Sequence, residues 1–220
     1  MTNKLDLRPV LRFVTALKRN NNRPWFEAHR ADFEVARTQF ENYVAALIAE
    51  LSRTDPLAGL SPKDCIFRLN RDLRFTKDKT PYKPYMSAYI APGGRKSRRM
   101  GYYVHLEPGN SMLAGGLHDP EPQQLAAWRA AIHRDPRPLK KILAGAAFRR
   151  YFGEVQGERL KTVPRGYAKD HPEAHLLRLK SATAIRHIPG AGVVSPSFLR
   201  QSLATFKAMR PFLRYLEELG

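Results

Sequence analysis

The sequence has one cysteine, no long hydrophobic run and few acidic residues. Cys65 has no second thiol with which to form an internal disulfide or a cysteine-based metal site, so stability has to come from packing. The longest apolar run, Val44 to Ala49, is too short to cross a bilayer, and the first residues lack the apolar core of a signal peptide. We therefore expect a cytoplasmic protein with no membrane partner.

Internal repeats, low-complexity tracts and long linkers are also missing from the 220 residues. Apolar residues make up 43% and charged residues 26% of the chain, both near the averages of globular proteins, which argues against a disordered or fibrous protein. A chain of this length can build one sizeable core. The sequence therefore predicts a single domain that spans residues 1–220.

The shortage of acidic residues leaves a large positive charge. Lys and Arg number 38 against 20 Asp and Glu, which gives a net charge of +18. Residues 63–101 contain eleven Lys and Arg but only three Asp, so the charge is concentrated in this segment. The charge favours polyanions or anionic metabolites as partners, although a basic and well-solvated surface has the same composition.

Hydrophobic periodicity predicts helices on both sides of a strand region. Apolar residues recur every three or four positions from Leu7 to Leu17 and from Phe33 to Leu51, and Pro24 suits a first helical turn. Further helices are predicted near residues 122–133, at 138–144, from 170–172, and from 195–196 to the end, with a kink or restart at Pro211.

From Asp64 onward the period changes to two, which is typical of half-buried strands. The alternation predicts strands at residues 65–69, 85–90, 102–107 and 112–117, joined by short turns. Such strands form an antiparallel meander that packs one face on a core. The predicted fold class is α+β, an antiparallel sheet of four or more strands packed with N- and C-terminal helices.

Strand alternation also collects polar side chains on the sheet face opposite the core. This polar face is predicted to contain Arg68, Asn70, Tyr85, Ser87, Tyr89, Tyr103, His105 and Glu107. The set offers a guanidinium for carboxylate or phosphate, phenols that hydrogen-bond or stack, and an imidazole beside a carboxylate. His105 and Glu107 project to one side of a strand about 7 Å apart, which makes them candidates for a general acid–base pair. An ordinary solvated sheet face has the same residue types.

A second basic cluster, the basic turn from Arg71 to Lys83, follows this face. We expect Asp72 and Asp78 to pair with neighbouring cations, and the rest to form either an anion site or a solvated surface. Lys161 and Arg165 are further candidates for the rim of such a site. His171 and His175 are four residues apart, but Pro172 places His171 outside a helix, so we predict no metal site and no cofactor.

Several longer motifs accompany these patterns. They are residues 20–26 (NNNRPWF), 62–68 (PKDCIFR), 71–83 (RDLRFTKDKTPYK) and 101–109 (GYYVHLEPG), with shorter ones at 115–117, 120–122, 160–161, 164–167 and 170–172. In these motifs, which are spread over most of its length, the chain resembles the DUF2461 family. The resemblance implies a mixed α/β fold and supplies no catalytic residue, cofactor or substrate.

The polar face and the basic turn support three functional hypotheses. The first is a pocket for a small anionic ligand that bears a phosphate or carboxylate. Its predicted ligand-binding residues are Arg68, Arg71, Arg74, Lys79, Lys83, Tyr85, Tyr89, Tyr103 and His105. The second is RNA or single-stranded DNA binding, in which tyrosines stack on bases while cations neutralise phosphates. The third is a partner-binding scaffold. None of the three requires a reaction; the catalytic candidates are His105 and Glu107.

Overall fold

Ten helices and an open four-stranded antiparallel sheet form the fold in a computed structural model, which describes residues 5–74 and 76–219. The helices are α1 (Arg8–Arg19), α2 (Arg23–Ala28), α3 (Arg30–Leu51), α4 (Pro62–Cys65), α5 (Pro122–Arg134), α6 (Arg137–Ala144), α7 (Ala146–Phe152), α8 (Ala174–Leu177), α9 (Gly190–Val193) and α10 (Phe198–Glu217). The strands are β1 (Met86–Ile90), β2 (Tyr102–Leu106), β3 (Ser111–Leu117) and β4 (Ala182–Ile188), in the order β1-β2-β3-β4. The predicted α+β class and four-stranded antiparallel sheet are confirmed, although β4 follows β3 only after helices α5 to α8 and not after a short turn.

The described residues group into two compact units. Unit 1 runs up to Arg98 and includes Tyr102–Leu113 and His187–Ala204. Unit 2 contains Arg99–Gly101, Ala114–Arg186 and the described residues from Thr205 onward. Because β3, β4 and α10 each pass from one unit into the other, this grouping does not test the single domain predicted for residues 1–220, which stays a prediction.

The N-terminal helices follow their apolar stripes. In α1 the predicted stripe residues Val10, Val14 and Leu17 are buried, whereas Leu11 is half-buried and Phe13, outside the predicted stripe, is buried. After α1, the sequence predicts one helix with Pro24 in its first turn, whereas the structure has two helices, α2 and α3. Helix α2 begins after Asn22, whose side chain accepts a hydrogen bond from the Trp25 N–H at 3.0 Å, with Pro24 in its first turn. Helix α3 then buries the predicted stripe from Ala36 to Leu51.

The first predicted strand, residues 65–69, is wrong. A capping box at Ser61 and Asp64 starts the short helix α4 there, and Cys65 ends it. Residues 66–70 then run beside β1 and form only the isolated bridges Ile66 to Ala88 and Asn70 to Tyr82. Regular pairing is interrupted between two hydrogen bonds, that of Phe67 with Ser87 and that of Leu69 with Lys83. Between these bonds the segment leading into β1 contains two more residues than the segment it faces, Pro84 and Tyr85.

The sheet is completed instead by β4, which the alternation did not reveal. Its first three residues, Ala182, Thr183 and Ala184, are all buried. The strand therefore lacks the alternation of buried and exposed residues that marks a strand in the sequence. Next to it in unit 2, Gly116 of β3 has φ +129°, and a Cβ there would overlap the Ala182 carbonyl oxygen. Glycine at this position therefore allows the backbones of β3 and β4 to approach closely.

In the C-terminal half, β4 and the short helices α7 and α9 were not predicted, and the predicted helices differ from the structure only at their ends. Helices α5 and α6 occupy the predicted ranges, whereas the helix predicted from residues 170–172 begins only at Ala174. The final helix begins at Phe198 instead of Ser195, and Pro211 lies inside it without a restart. No helix in the described part of the chain has the length and apolar character needed to cross a membrane.

Candidate functional site

A cleft of about 660 Å³ in unit 1 lies between helices α2 and α3 and the chain from residue 63 to 70, and we call it the α3 cleft. Its helical wall consists of Arg23, Phe26, Glu27, Arg30, Phe33, Arg37 and Glu41. The α3 members are spaced three or four residues apart and so share one helix face. The opposite wall contains Lys63, residues 66–70, Pro81, Tyr82, Tyr85, Met86 and Arg95.

The cations of the α3 cleft fall into two groups. Arg30 pairs with Glu27 at 2.8 Å, and Arg37 pairs with Glu41 at 2.9 Å, so these two charges are largely balanced within the helical wall. By contrast, no acidic side chain in the described ranges forms an ion pair with Arg23, Lys63 or Arg68, all of which are exposed. The cleft therefore has three cations without an ion pair, and a further cation, Arg95, donates to the Lys63 carbonyl.

An aromatic pair forms part of the cleft wall. The rings of Phe26 and Tyr82 stack with centroids 4.4 Å apart, and the Arg30 guanidinium lies over the Phe26 ring at 5.6 Å. Asn21 fixes the backbone of Tyr82 from both sides, since its Nδ2 donates to the Tyr82 carbonyl at 2.8 Å and its Oδ1 accepts from the Tyr82 N–H at 3.0 Å. The wall is therefore held in place by packing and by hydrogen bonds.

The structure divides the predicted polar face. Ile66 bridges to Ala88, a fully buried core-face residue, while the Phe67 ring contacts the Tyr103 ring on the other face. The predicted assignment of Ile66 to the polar face and Phe67 to the core face is therefore wrong, whereas Arg68 and Asn70 line the α3 cleft and their place on the polar face stays a prediction. The alternation was out of phase because Cys65 belongs to α4, and a one-residue slip moves every side chain to the opposite face.

The rest of the predicted face is confirmed as a group but is not solvated. Ser87 pairs with His105 and Tyr89 with Tyr103 across β1 and β2, so these four side chains share one face. Ser87 is 3% exposed and His105 is 7% exposed. The Tyr85 ring covers the imidazole, with ring centroids 4.2 Å apart. Water therefore has little access to His105.

His105 is the centre of a hydrogen-bonded chain, the His105 network. The Tyr103 hydroxyl lies 3.0 Å from His105 Nδ1, and His105 Nε2 lies 3.1 Å from Glu107 Oε2. Lys18 and Asn110 also donate to Glu107, each at 3.2 Å. The predicted proximity of His105 and Glu107 is confirmed, and their acid–base role stays a prediction.

Burial sets the protonation of this network. It lowers the pKa of His105 below its ordinary value, although the hydrogen bond and charge of Glu107 act in the opposite direction. For Glu107, burial alone would raise the pKa, but hydrogen bonds from His105, Asn110 and Lys18 outweigh it and lower the pKa. Burial also raises the pKa of the Tyr103 phenol. A neutral His105 therefore donates a hydrogen bond from Nε2–H to an ionised Glu107 and accepts a hydrogen bond from the Tyr103 hydroxyl at Nδ1.

The basic turn is largely paired within itself. Arg71 donates to Asp78 and Thr80, Arg74 pairs with Asp72 at 2.7 Å, and Lys79 Nζ donates to the Leu73 carbonyl at 3.0 Å. The hydrogen bonds from Arg74 lower the pKa of Asp72, with a smaller contribution from Arg68. The expected pairing of Asp72 and Asp78 is confirmed. These cations are less available to a ligand than the three of the α3 cleft.

A second cleft of about 260 Å³ lies at the start of the basic turn, lined by Arg71, Asp72, Lys83, Pro84 and Tyr85. Burial lowers the pKa of Lys83, and the charge of Arg68 adds to the effect. The Lys83 ammonium lies 5.6 Å from the centre of the Phe67 ring. Because Tyr85 lines both clefts, it connects them at the surface above His105.

The remaining sequence candidates lie elsewhere. Among the described residues, neither cleft is lined by Tyr89, by Arg74 or Lys79 of the basic turn, or by Lys161 and Arg165, which belong to unit 2. Conversely, the helical cations of the α3 cleft are absent from the predicted site. The available signal was the seven-residue spacing of Arg30 and Arg37, which places these two residues on one side of α3, two turns apart, whereas Arg23 belongs to the separate helix α2.

The other chemically interesting residues do not form a site. Burial raises the pKa of the Cys65 thiol to about 12, which makes it a poor nucleophile. His171 contacts His133 at 3.2 Å, and its Nδ1 accepts the Glu173 N–H at 3.0 Å. In the ranges 5–74 and 76–219, no three His, Cys, Asp or Glu side chains form a group that could hold a metal ion.

Comparison with known proteins gives one result at the level of the family. No curated protein and no solved structure matches the chain. The family described as "Conserved hypothetical protein (DUF2461)" matches residues 9–215, which include both walls of the α3 cleft and the His105 network. The chain therefore belongs to the DUF2461 family.

Proposed function

We propose that the protein binds a small anionic ligand, bearing a phosphate or carboxylate, in the α3 cleft. The observation that carries the proposal is the group of three cations that form no ion pair among the described residues, Arg23, Lys63 and Arg68, around one cleft with an aromatic wall. Ligand sites combine a largely apolar cavity of this size with a few convergent polar groups. Arg68 and Arg23 can each contact two oxygens of a carboxylate or phosphate.

The proposal keeps Arg68 and Tyr85 from the predicted ligand-binding set and moves the centre of the site away from His105. His105 and Ser87 are covered, and Arg71, Arg74 and Lys79 have partners inside the basic turn. Lys83 and Arg71 border the second cleft, from which they add to the positive potential at Tyr85. We propose neither a cofactor nor a reaction for the α3 cleft.

A thermal-shift screen tests the proposal. Nucleotides, sugar phosphates, and di- and tricarboxylates are added at increasing concentration, and we expect at least one class to raise the Tm by roughly 5 °C or more near saturation. Arg68→Ala should abolish the shift. Arg165→Ala, which removes one positive charge from unit 2, is the matched control and should keep it. The proposal fails if no anion stabilises the protein, or if both variants respond alike.

The two other hypotheses have less support. Base stacking requires accessible tyrosines, but Tyr82 and Tyr102 are buried, Tyr103 is hydrogen-bonded to His105, and Tyr85 covers the imidazole. These tyrosines therefore pack and hydrogen-bond within the protein, which leaves little ring surface for stacking on bases. A partner-binding scaffold has no separate apolar surface to support it, since the exposed large apolar side chains among the described residues are Val35 and Val194.

A further inference from the structure

One wall of the α3 cleft is an open backbone edge, which we call the edge segment, residues 66–70. On its inner side, Phe67 N–H donates to the Ser87 carbonyl at 3.0 Å, and the Leu69 carbonyl accepts from Lys83 N–H at 2.8 Å. Successive residues of an extended chain direct these groups to opposite sides. The N–H groups of Arg68 and Asn70 therefore point away from β1, and within the described chain they make no hydrogen bond.

The backbone of the edge segment, and not one side-chain face alone, borders the cleft. All five consecutive residues from 66 to 70 line it, whereas side chains from a single face would contribute every second residue. The facing wall of α3, from Arg30 to Glu41, is about 16 Å long. A groove of that length accommodates about five residues of an extended chain. A strand edge opposite a helix is the arrangement used for peptide binding by strand addition.

The charges of the groove define the side chains that such a peptide needs. Arg23, Lys63 and Arg68 form no ion pair in the described ranges, and they lie on both walls. Phe26 and Phe33 add apolar surface between them. A single phosphate or carboxylate would satisfy the cations but would leave the backbone donors of the edge segment without a partner. An extended chain with acidic side chains satisfies both.

We infer that the ligand of the α3 cleft is a short peptide segment with acidic side chains, which adds as a strand to the edge segment. The inference rests on the proposed function, because it names the ligand class of the same cleft. The peptide backbone pairs with Arg68 and Asn70, and its carboxylates contact Arg23, Lys63 and the Arg68 guanidinium. Alternate apolar side chains pack towards Phe26 and Phe33.

Fluorescence anisotropy with labelled heptapeptides tests the inference. The probes are acetylated, amidated peptides in which glutamate alternates with valine, in both phases, and we expect at least one to bind. Replacing every glutamate with lysine should abolish binding. Arg68→Ala should raise the Kd about tenfold or more, because it removes a charged hydrogen-bonding group. Arg165→Ala, the charge-matched control in unit 2, should leave the Kd nearly unchanged.

Backbone methylation separates strand addition from simple charge attraction. In a strand, alternate N–H groups face the partner edge and the others face away. N-methylation of one alternate set of peptide residues should therefore raise the Kd about tenfold or more, while methylation of the other set should have little effect. In parallel, hydrogen exchange of the Arg68 and Asn70 amides in the bound protein should slow about tenfold or more.

The outcomes distinguish the inference from the proposed function. If both methylated peptides bind like the parent, or if the Arg68 and Asn70 amides exchange at unchanged rates, strand addition is wrong and a charge-driven anion site stands. If small anions stabilise the protein through Arg68 but no peptide binds, the inference fails and the proposed function is retained. If neither small anions nor peptides bind, both fail.

Discussion

His105 illustrates how burial of one imidazole links protonation to stability. Burial lowers its pKa in the folded protein, whereas the unfolded chain keeps the ordinary value of about 6.5. Between these two values the unfolded state binds more protons, so stability rises with pH in that window. The contribution of a neutral His105 is therefore complete above about pH 6.5 and is lost as the pH falls towards the folded pKa.

We predict that the free energy of unfolding falls between pH 7 and pH 5 in a way that depends on His105. His105→Gln keeps a hydrogen-bonding side chain that does not titrate, so this variant should lose that part of the pH dependence. Urea unfolding at half-unit pH steps measures the effect. Glu107, whose pKa is lowered, acts in a separate window, because its contribution is lost only as the pH falls below about 4.5.

The control for this prediction is His187→Gln, since His187 is exposed on β4. That variant should retain the slope of the unsubstituted protein. A slope between pH 7 and pH 5 that is the same in the His105 variant and in the unsubstituted protein would contradict the account of the network. It would mean that protonation of His105 costs no more in the folded protein than in the unfolded chain.

Among the structural elements, the three consecutive asparagines each have a different partner. The Asn20 side chain donates to the Ala16 carbonyl at 3.0 Å at the end of α1, and Asn22 caps the start of α2. Asn21, between them, binds the backbone N–H and carbonyl of Tyr82. The motif at residues 20–26 therefore joins two helices to the motif at 71–83, which forms part of the α3 cleft.

We predict that Asn21→Ala destabilises the protein more than Asn22→Ala. Tyr82 is 5% exposed, so loss of the Asn21 side chain leaves a buried N–H and a buried carbonyl unpaired, at a cost of about 2–4 kcal/mol. Loss of the Asn22 cap should cost about 1 kcal/mol, because water can replace it at an exposed helix end. Equilibrium urea unfolding of both variants measures the difference.

Asn21→Asp is the matched variant for the same contact. It keeps an oxygen to accept the Tyr82 N–H, but it places a second oxygen against the Tyr82 carbonyl, so it should also destabilise the protein. Equal costs for Asn21→Ala and Asn22→Ala would show that the Asn21 contact contributes no more than an ordinary helix cap.

Elements with an apolar stripe on one side or with a clear alternation could be predicted from the sequence, whereas α4, α7, α9 and β4 could not. Helices α1, α3 and α5 bury one side, and β1 and β2 alternate, so their periods are visible. Helix α4 depends on local bonds of Ser61 and Asp64, which leave no period. Strand β4 begins with three consecutive buried residues, which removes the alternation.

The same contrast applies to the candidate site. Arg68 and Tyr85 were found because they lie in one stretch of unusual composition. Arg23, Arg30 and Arg37 were missed because only the packing of α2 and α3 in unit 1 brings them to the edge segment, which follows some thirty residues later. The predicted alternation was out of phase at Ile66 and Phe67 because α4 shifts the start of the extended chain.

For the whole molecule, a net charge of +18 attracts polyanions without requiring a site. Part of this charge is balanced locally, as in the pairs of Arg71 with Asp78 and Arg74 with Asp72. The remaining surface charge acts at a distance and is screened by salt, because the Debye length is about 8 Å at physiological ionic strength. Attraction of this kind does not depend on any one residue, whereas we expect anion binding in the α3 cleft to depend on Arg68.

We predict that the protein binds single-stranded DNA only through this general charge. A labelled 20-nucleotide strand should bind at low salt, and its log Kd should rise linearly with log salt concentration, with little binding left near 150 mM. Arg68→Ala and Arg165→Ala should weaken this binding equally, since each removes one positive charge. Tyr85→Ala should leave it unchanged. Anisotropy titrations at four salt concentrations measure the slope. Binding that persists at 150 mM and is lost in Tyr85→Ala would instead support base stacking and would favour the nucleic-acid hypothesis over the small-anion site.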